Sequence, residues 1–168
     1  MTLETFGTIA QIVEAATVLG GTVFALVQLS ELKLQRRDTV AAELMRTFLD
    51  AEFANAMTVI QQEPDSGLVG SLDDLKPEVF RAAVQIGTTF ETMGLLVFRR
   101  IAPFDLVLEL AGGIVVVMWL RLGPLFMQIR QKQSQPSFAE WFQWLAEQCQ
   151  KHKDEGVPAH TKHAGWVP

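Results

Sequence analysis

The sequence predicts an all-α protein, with an N-terminal transmembrane helix that continues into a cytosolic helical bundle. Three observations carry this expectation. Apolar residues recur at three- and four-residue spacings, and no strand-like alternation or internal repeat is present. Pro and Gly punctuate the chain at intervals that leave helix-length pieces between them. Apolar character is concentrated in residues 5–30 and 101–120, while the other 122 residues average about −0.33 in hydropathy, ordinary for a water-facing domain.

The first element is the anchor. Ile9 to Leu29 runs 21 residues with one formal charge, Glu14. At 1.5 Å per residue a helix of that length spans about 30 Å, the thickness of a bilayer core. No Lys or Arg precedes Lys33, so the basic start of a cleaved signal peptide is missing. Lys33, Arg36 and Arg37 come directly after the apolar run, and the positive-inside rule places the C-terminal bulk of the chain in the cytoplasm. The expected divisions are an external tail at 1–6, the transmembrane helix at 7–30, a cytosolic bundle at 31–151 and a mobile polar tail at 152–168.

Along that helix Gly7, Gln11, Glu14, Thr17, Gly21, Ala25 and Gln28 form one stripe of small and polar groups. Thr17, Gly21 and Ala25 stand four apart, a pattern that lets helix backbones approach closely in a membrane. Glu14 would cost about 2–3 kcal/mol facing lipid deep in the bilayer, so it is expected to face a partner helix or water. Two arrangements fit the stripe: a tether that self-associates, and a ring of helices around an aqueous path.

The helix is expected to run on through Leu49, since neither Pro nor Gly interrupts it. Asp50 reads as an N-cap for the segment starting at Ala51, with Glu52 in the first turn. Residues 63–70, EPDSGLVG, read as a loop. Pro77 suits the first turn of a helix reaching about Arg100, with Phe80, Val84, Gly87, Phe90, Gly94 and Val97 on the core side and its two glycines marking close packing. Residues 101–120 are apolar enough to span a membrane but contain Pro103, Asp105, Glu109 and Gly112–Gly113. They are read as bundle core, a short amphipathic helix ending at the glycines, with a second membrane segment as the alternative. A last helix should follow Pro136, with Phe138, Trp141, Phe142, Leu145 and Cys149 sharing a face.

Function classes narrow quickly. The net charge of −5, from 14 basic and 19 acidic residues, argues against nucleic acid as a partner. A single cysteine, Cys149, excludes an intramolecular disulfide and makes a Cys-rich zinc site improbable. Phosphate-loop, dinucleotide, nucleophile-elbow and HExxH patterns are missing. His152, His160 and His163 all lie in the tail and read as solvated. Asp73 and Asp74 read as helix-capping groups, Glu91 as the partner of an Arg on another helix, and Cys149 as inert core. No enzyme activity, cofactor or metal is expected.

Several stretches taken together resemble an uncharacterised family of bacterial membrane-anchored helical proteins of unknown function. These are LVQLSELKLQRRD, FLDAEF, FETMGLLVFRR, IAPFDLVLELAGG, MWLRLGPLFMQIR and PSFAEWFQWLAE, in that order over most of residues 5–147. The resemblance implies one N-terminal span and a cytosolic helical domain, and it carries no catalytic residues. The layout is also similar to that of the membrane-anchored, pore-forming accessory proteins of type VI-B CRISPR systems. The leading expectation is a bacterial inner-membrane protein, N-terminus outside, that forms a homo-oligomer of pore or channel-like kind. In it Gln11, Glu14, Thr17, Gly21, Ala25 and Gln28 would form the pore-lining or helix-contact stripe, and Lys33, Arg36 and Arg37 would set topology. The alternative is a tethered scaffold or sensor that recruits a cytosolic protein.

Overall fold

The computed structural model describes residues 3–64, 68, 72–152 and 159–167. All regular elements among them are helical, as the periodicity predicts. They are α1 (Leu3–Leu49), α2 (Ala51–Gln62), α3 (Pro77–Phe98), α4 (Phe104–Lys132), α5 (Glu140–His152) and the single turn α6 (Ala159–Lys162), with a short 3₁₀ turn at Leu72–Asp74. The chain divides into two compact units, residues 1–42 and residues 43–168.

The first unit is α1 up to Ala42. The helix passes the expected boundaries at residues 6 and 30 unbroken and ends at Leu49, 47 residues in all. Its side chains at 3–13, 15, 16, 33, 34, 36 and 38 lie outside the described part.

The second unit is a bundle in which α3 packs on α2 and α5, and α5 also packs on α4. Asp50 caps α2 as its sequence position predicts, its carboxylate accepting the Phe53 N–H at 2.8 Å. Pro77 opens α3, where a missing N–H is harmless. The core side of α3 is broader than the expected stripe: Val79, Ala83, Ile86, Phe90 and Met93 are buried, and Phe80 and Val84 only half so. Aromatic rings form a continuous line through the core. Phe53 meets Phe90 at 5.9 Å, Phe90 meets Phe142 at 5.0 Å, and Phe126 meets Phe142 at 6.0 Å. No polar or charged residue is buried among the described ones.

Both glycines of α3 do what their spacing implies. A methyl on Gly87 would stand 2.8 Å from the ring of Phe126. One on Gly94 would run into the carbonyl of Trp141 on α5, 2.7 Å from its carbon.

The second apolar stretch departs from expectation in one respect. It supplies core, with Val107, Ala111, Val115 and Met118 buried, but the helix does not stop at the glycines. It passes through Gly112–Gly113 and through Pro124 to Lys132, 29 residues. A side chain at Gly112 would meet the tip of Leu108, one turn back, at 2.9 Å and Cys149 of α5 at an ordinary contact distance of 3.6 Å. Pro124 is exposed, so the backbone carbonyl that it leaves without an N–H partner is within reach of water.

Two helix ends are made by residues other than glycine in the left-handed region. Arg100 (φ 56°) ends α3 with paired bonds from its own N–H to Val97 and from Ile101 to Leu96, the Schellman arrangement. Ser134 (φ 52°) ends α4, the Gln135 N–H reaching back to Arg130. Of the expected loop at 63–70, only Glu63, Pro64 and Leu68 are described; Leu68 is helical and buried. The tail holds α6, and residues 160–167 are exposed.

Candidate functional site

The candidate site begins with the stripe on α1. Glu14, Thr17, Gly21, Ala25 and Gln28 are all exposed on one continuous helix, while the side chain of Gln11 lies outside the described residues. A side chain added at Gly20 or Gly21 would meet nothing within 4 Å. The apolar positions between them are equally bare: Val18, Leu19, Val23, Phe24, Leu26, Val27 and Leu29 are all exposed, Leu19 at 67%. Hydroxyls on this segment bond back to the helix, Thr22 to the Val18 carbonyl at 2.8 Å and Ser30 to that of Val27 at 2.7 Å. Arg37 is exposed; the side chains of Lys33 and Arg36 lie outside the described residues.

Length and apolarity alone single out one described helix as able to cross a membrane. It is α4, whose most apolar 18-residue window has a mean hydropathy of 1.9 and one side of which is bundle core. On α1 the described apolar part is the shorter segment Thr17–Leu32.

The charged groups of the bundle are built into its joints. Glu91 does not pair with an Arg as expected; it caps α5. Its carboxylate accepts the Phe142 N–H at 2.8 Å and also bonds the Trp141 N–H, groups that the start of a helix leaves unsatisfied. The residue before α5, Ala139, carries no side-chain acceptor, so the cap has to come from α3. Burial raises the pKa of Glu91 above the ordinary carboxylate value, Glu140 adds to the rise, and the two N–H groups and Arg130 oppose it. Asp73 pairs with Lys132 at 2.7 Å, a tie to the end of α4, and Lys76, the residue before α3, gives that helix no side-chain cap. Arg121 donates to the Glu63 carbonyl at 2.6 Å, and Lys76 pairs with the Glu63 carboxylate at 3.1 Å, which fastens the end of α2 to α4 and α3.

No group of three or more His, Cys, Asp and Glu that could hold a metal occurs among the described residues. Cys149 is buried, and desolvation pushes its thiol up to about 11, which makes it a poor nucleophile. His152 stacks edge-on against Phe104 at 5.1 Å, and His160 and His163 are exposed.

An open groove of about 590 Å³ lies between the end of α3, the start of α4 and α5. Phe98, Phe104 and Trp144 give it aromatic walls, and Arg100, Gln148 and His152 add polar atoms. This mixture suits an apolar or flat group with an acceptor or negative charge at one end. Sequence reasoning passed over it because the lining residues come from three elements; the exposed aromatic Phe98 beside Arg99–Arg100 was the one local signal.

No curated protein and no solved structure matches the chain. A family model does, over residues 15–149, a span that takes in most of the α1 stripe and the whole bundle through Cys149. The chain therefore belongs to the DUF4760 family, a domain of unknown function.

Proposed function

We propose that this is a membrane-anchored protein of the bacterial inner membrane that self-associates through α1 and holds its bundle on the cytoplasmic side. The observation that supports this most is the bareness of α1. From Thr17 to Leu32 every described side chain is exposed, and all the large ones but Gln28 and Glu31 are apolar. A surface of that kind needs lipid or another helix against it. The small residues Thr17, Gly21 and Ala25 offer a close-approach face, and Glu14 and Gln28 on the same stripe avoid lipid when that face is shared. Lys33, Arg36 and Arg37 set the bundle on the cytoplasmic side. A closed ring of such helices, with Gln11, Glu14, Thr17, Gly21 and Gln28 toward the axis, makes an aqueous path.

The test is size and symmetry of the full chain in mild detergent, followed by dye release from liposomes. A ring-sized oligomer that makes liposomes leaky, with conductance altered by Glu14→Leu, supports the reading. A monomer that leaves liposomes tight overturns it, and unaltered conductance removes Glu14 from the path. The aromatic groove favours a second role, recruitment of a cytosolic protein. There, Phe98→Ala together with Trp144→Ala should abolish capture of a specific partner while leaving the oligomer intact.

A further inference from the structure

Helix α4 gives one side to the core and leaves the other bare. Between Leu110 and Met127 its exposed residues are Leu110, Gly113, Val117, Leu120, Pro124 and Met127, and no others. None is charged, the sulfur of Met127 accepts an N–H of Arg130 at 3.4 Å, and Leu120 is 66% exposed. The spacings are three, four, three, four and three, averaging close to the 3.5-residue repeat of a helix–helix seam. They confine the six to an arc of roughly 100°, opposite the buried Ala111, Val115, Met118 and Leu122.

The stripe is complementary to itself when reversed. About a two-fold axis midway between Val117 and Leu120, an antiparallel copy sets Leu110 against Met127, Gly113 against Pro124 and Val117 against Leu120. The same pairs recur on the other side of the axis, as an isologous contact requires. The flanks agree: Glu109 borders the seam near one end and Arg130 near the other, so reversal sets acid beside base twice, whereas a parallel pair sets like beside like. Opposed helix dipoles favour the same direction. Lipid fits less well, because Gly113 and Pro124 interrupt the row of large side chains and offer hydrocarbon little area.

We propose that α4 pairs antiparallel with α4 of a second copy of this chain, a self-association surface separate from α1. The proposal rests on the self-assembly reading and extends it to the bundle. Along the axis, two copies of residue 120 or of residue 117 would be offset by about 4.5 Å, and two copies of residue 110 by about 26 Å, at the usual interaxial distance of about 8–10 Å.

The test is cross-linking of the full chain in mild detergent with a short bismaleimide, alongside its size. Cys149 is buried, so the unaltered chain supplies the background. Leu120→Cys and, independently, Val117→Cys should each form covalent dimers at roughly ten times the yield of Leu110→Cys or Met127→Cys. The double variant L110C/M127C should recover the high yield. Self-linking of L110C as strong as that of L120C would mean a parallel pair and would overturn the proposal. An oligomer by size that shows no link at 117 or 120 would overturn it while sparing association through α1. A monomer by size would overturn both.

Discussion

Gly94→Ala puts the packing of α3 on α5 to a direct test, because two physical effects of opposite sign compete at that position. Helix propensity alone favours Ala over Gly by about 0.5–1 kcal/mol in a helix interior. The tertiary contact opposes it. The added methyl would stand 2.7 Å from the carbonyl carbon of Trp141 and 3.1 Å from its Cβ, and it would run into the carbonyl oxygen. Carbon atoms settle at about 3.5–4.0 Å, so the two backbones have to part by roughly 1 Å. The neighbouring backbone cannot rotate away as a side-chain tip could. The same shift would stretch the 2.8 Å bond from Phe142 to Glu91 beyond hydrogen-bonding range and loosen the 4.4 Å stacking of Phe98 on Trp141. Overpacking of about 1–3 kcal/mol plus loss of a cap of about 1 kcal/mol outweighs the propensity gain, leaving a net destabilisation of about 1–3.5 kcal/mol, centred near 2. Thermal unfolding of the full chain in mild detergent, followed by near-ultraviolet circular dichroism of the bundle tryptophans, should show Tm lowered by roughly 5–10 °C. Thr88→Ala, on the same helix and exposed, should stay within about 0.5 kcal/mol of the original. A Gly94→Ala chain as stable as the original, or more so, would refute the backbone contact.

Glu91 and Cys149 lend themselves to further tests. Because burial raises the pKa of Glu91 in the folded chain, its contribution favours folding fully below the unfolded value of 4.5 and is lost as pH climbs through the folded pKa. Glu91→Gln keeps an acceptor without that titration, so its stability relative to the original should rise over the same window in chemical unfolding at a series of pH values; a pH-independent difference would remove the explanation. Glu91→Ala should be about 1–2 kcal/mol less stable than Glu91→Gln, since it leaves the start of α5 uncapped. Cys149, buried with its thiol pushed up to about 11, should react with maleimide at neutral pH at least about a hundredfold more slowly in the native chain than in denaturant, and comparable rates would contradict its burial.

What the sequence by itself determined is whatever depends on near neighbours. Periodicity revealed the helical class, the absence of Pro and Gly after Gly21 carried α1 through to Leu49, and Asp50 and Pro77 marked two helix starts because caps and first turns are made within a few residues. The glycines of α3 announced close packing by spacing alone. Tertiary structure decided what depends on residues far apart in the chain. Glu91 caps a helix start 51 residues away, and the Lys132 that holds Asp73 lies 59 residues on. Gly112 and Gly113 stay inside α4, although paired glycines usually read as a stop, because the buried face of Ala111, Val115 and Met118 carries the helix on past them. Ser134 ends α4 in a conformation that usually selects glycine, so no local signal marked that end. The sequence could show that α4 was apolar. Only packing could divide it into a buried side and a bare one, because burial is set by which neighbours arrive, and they arrive from elsewhere in the chain.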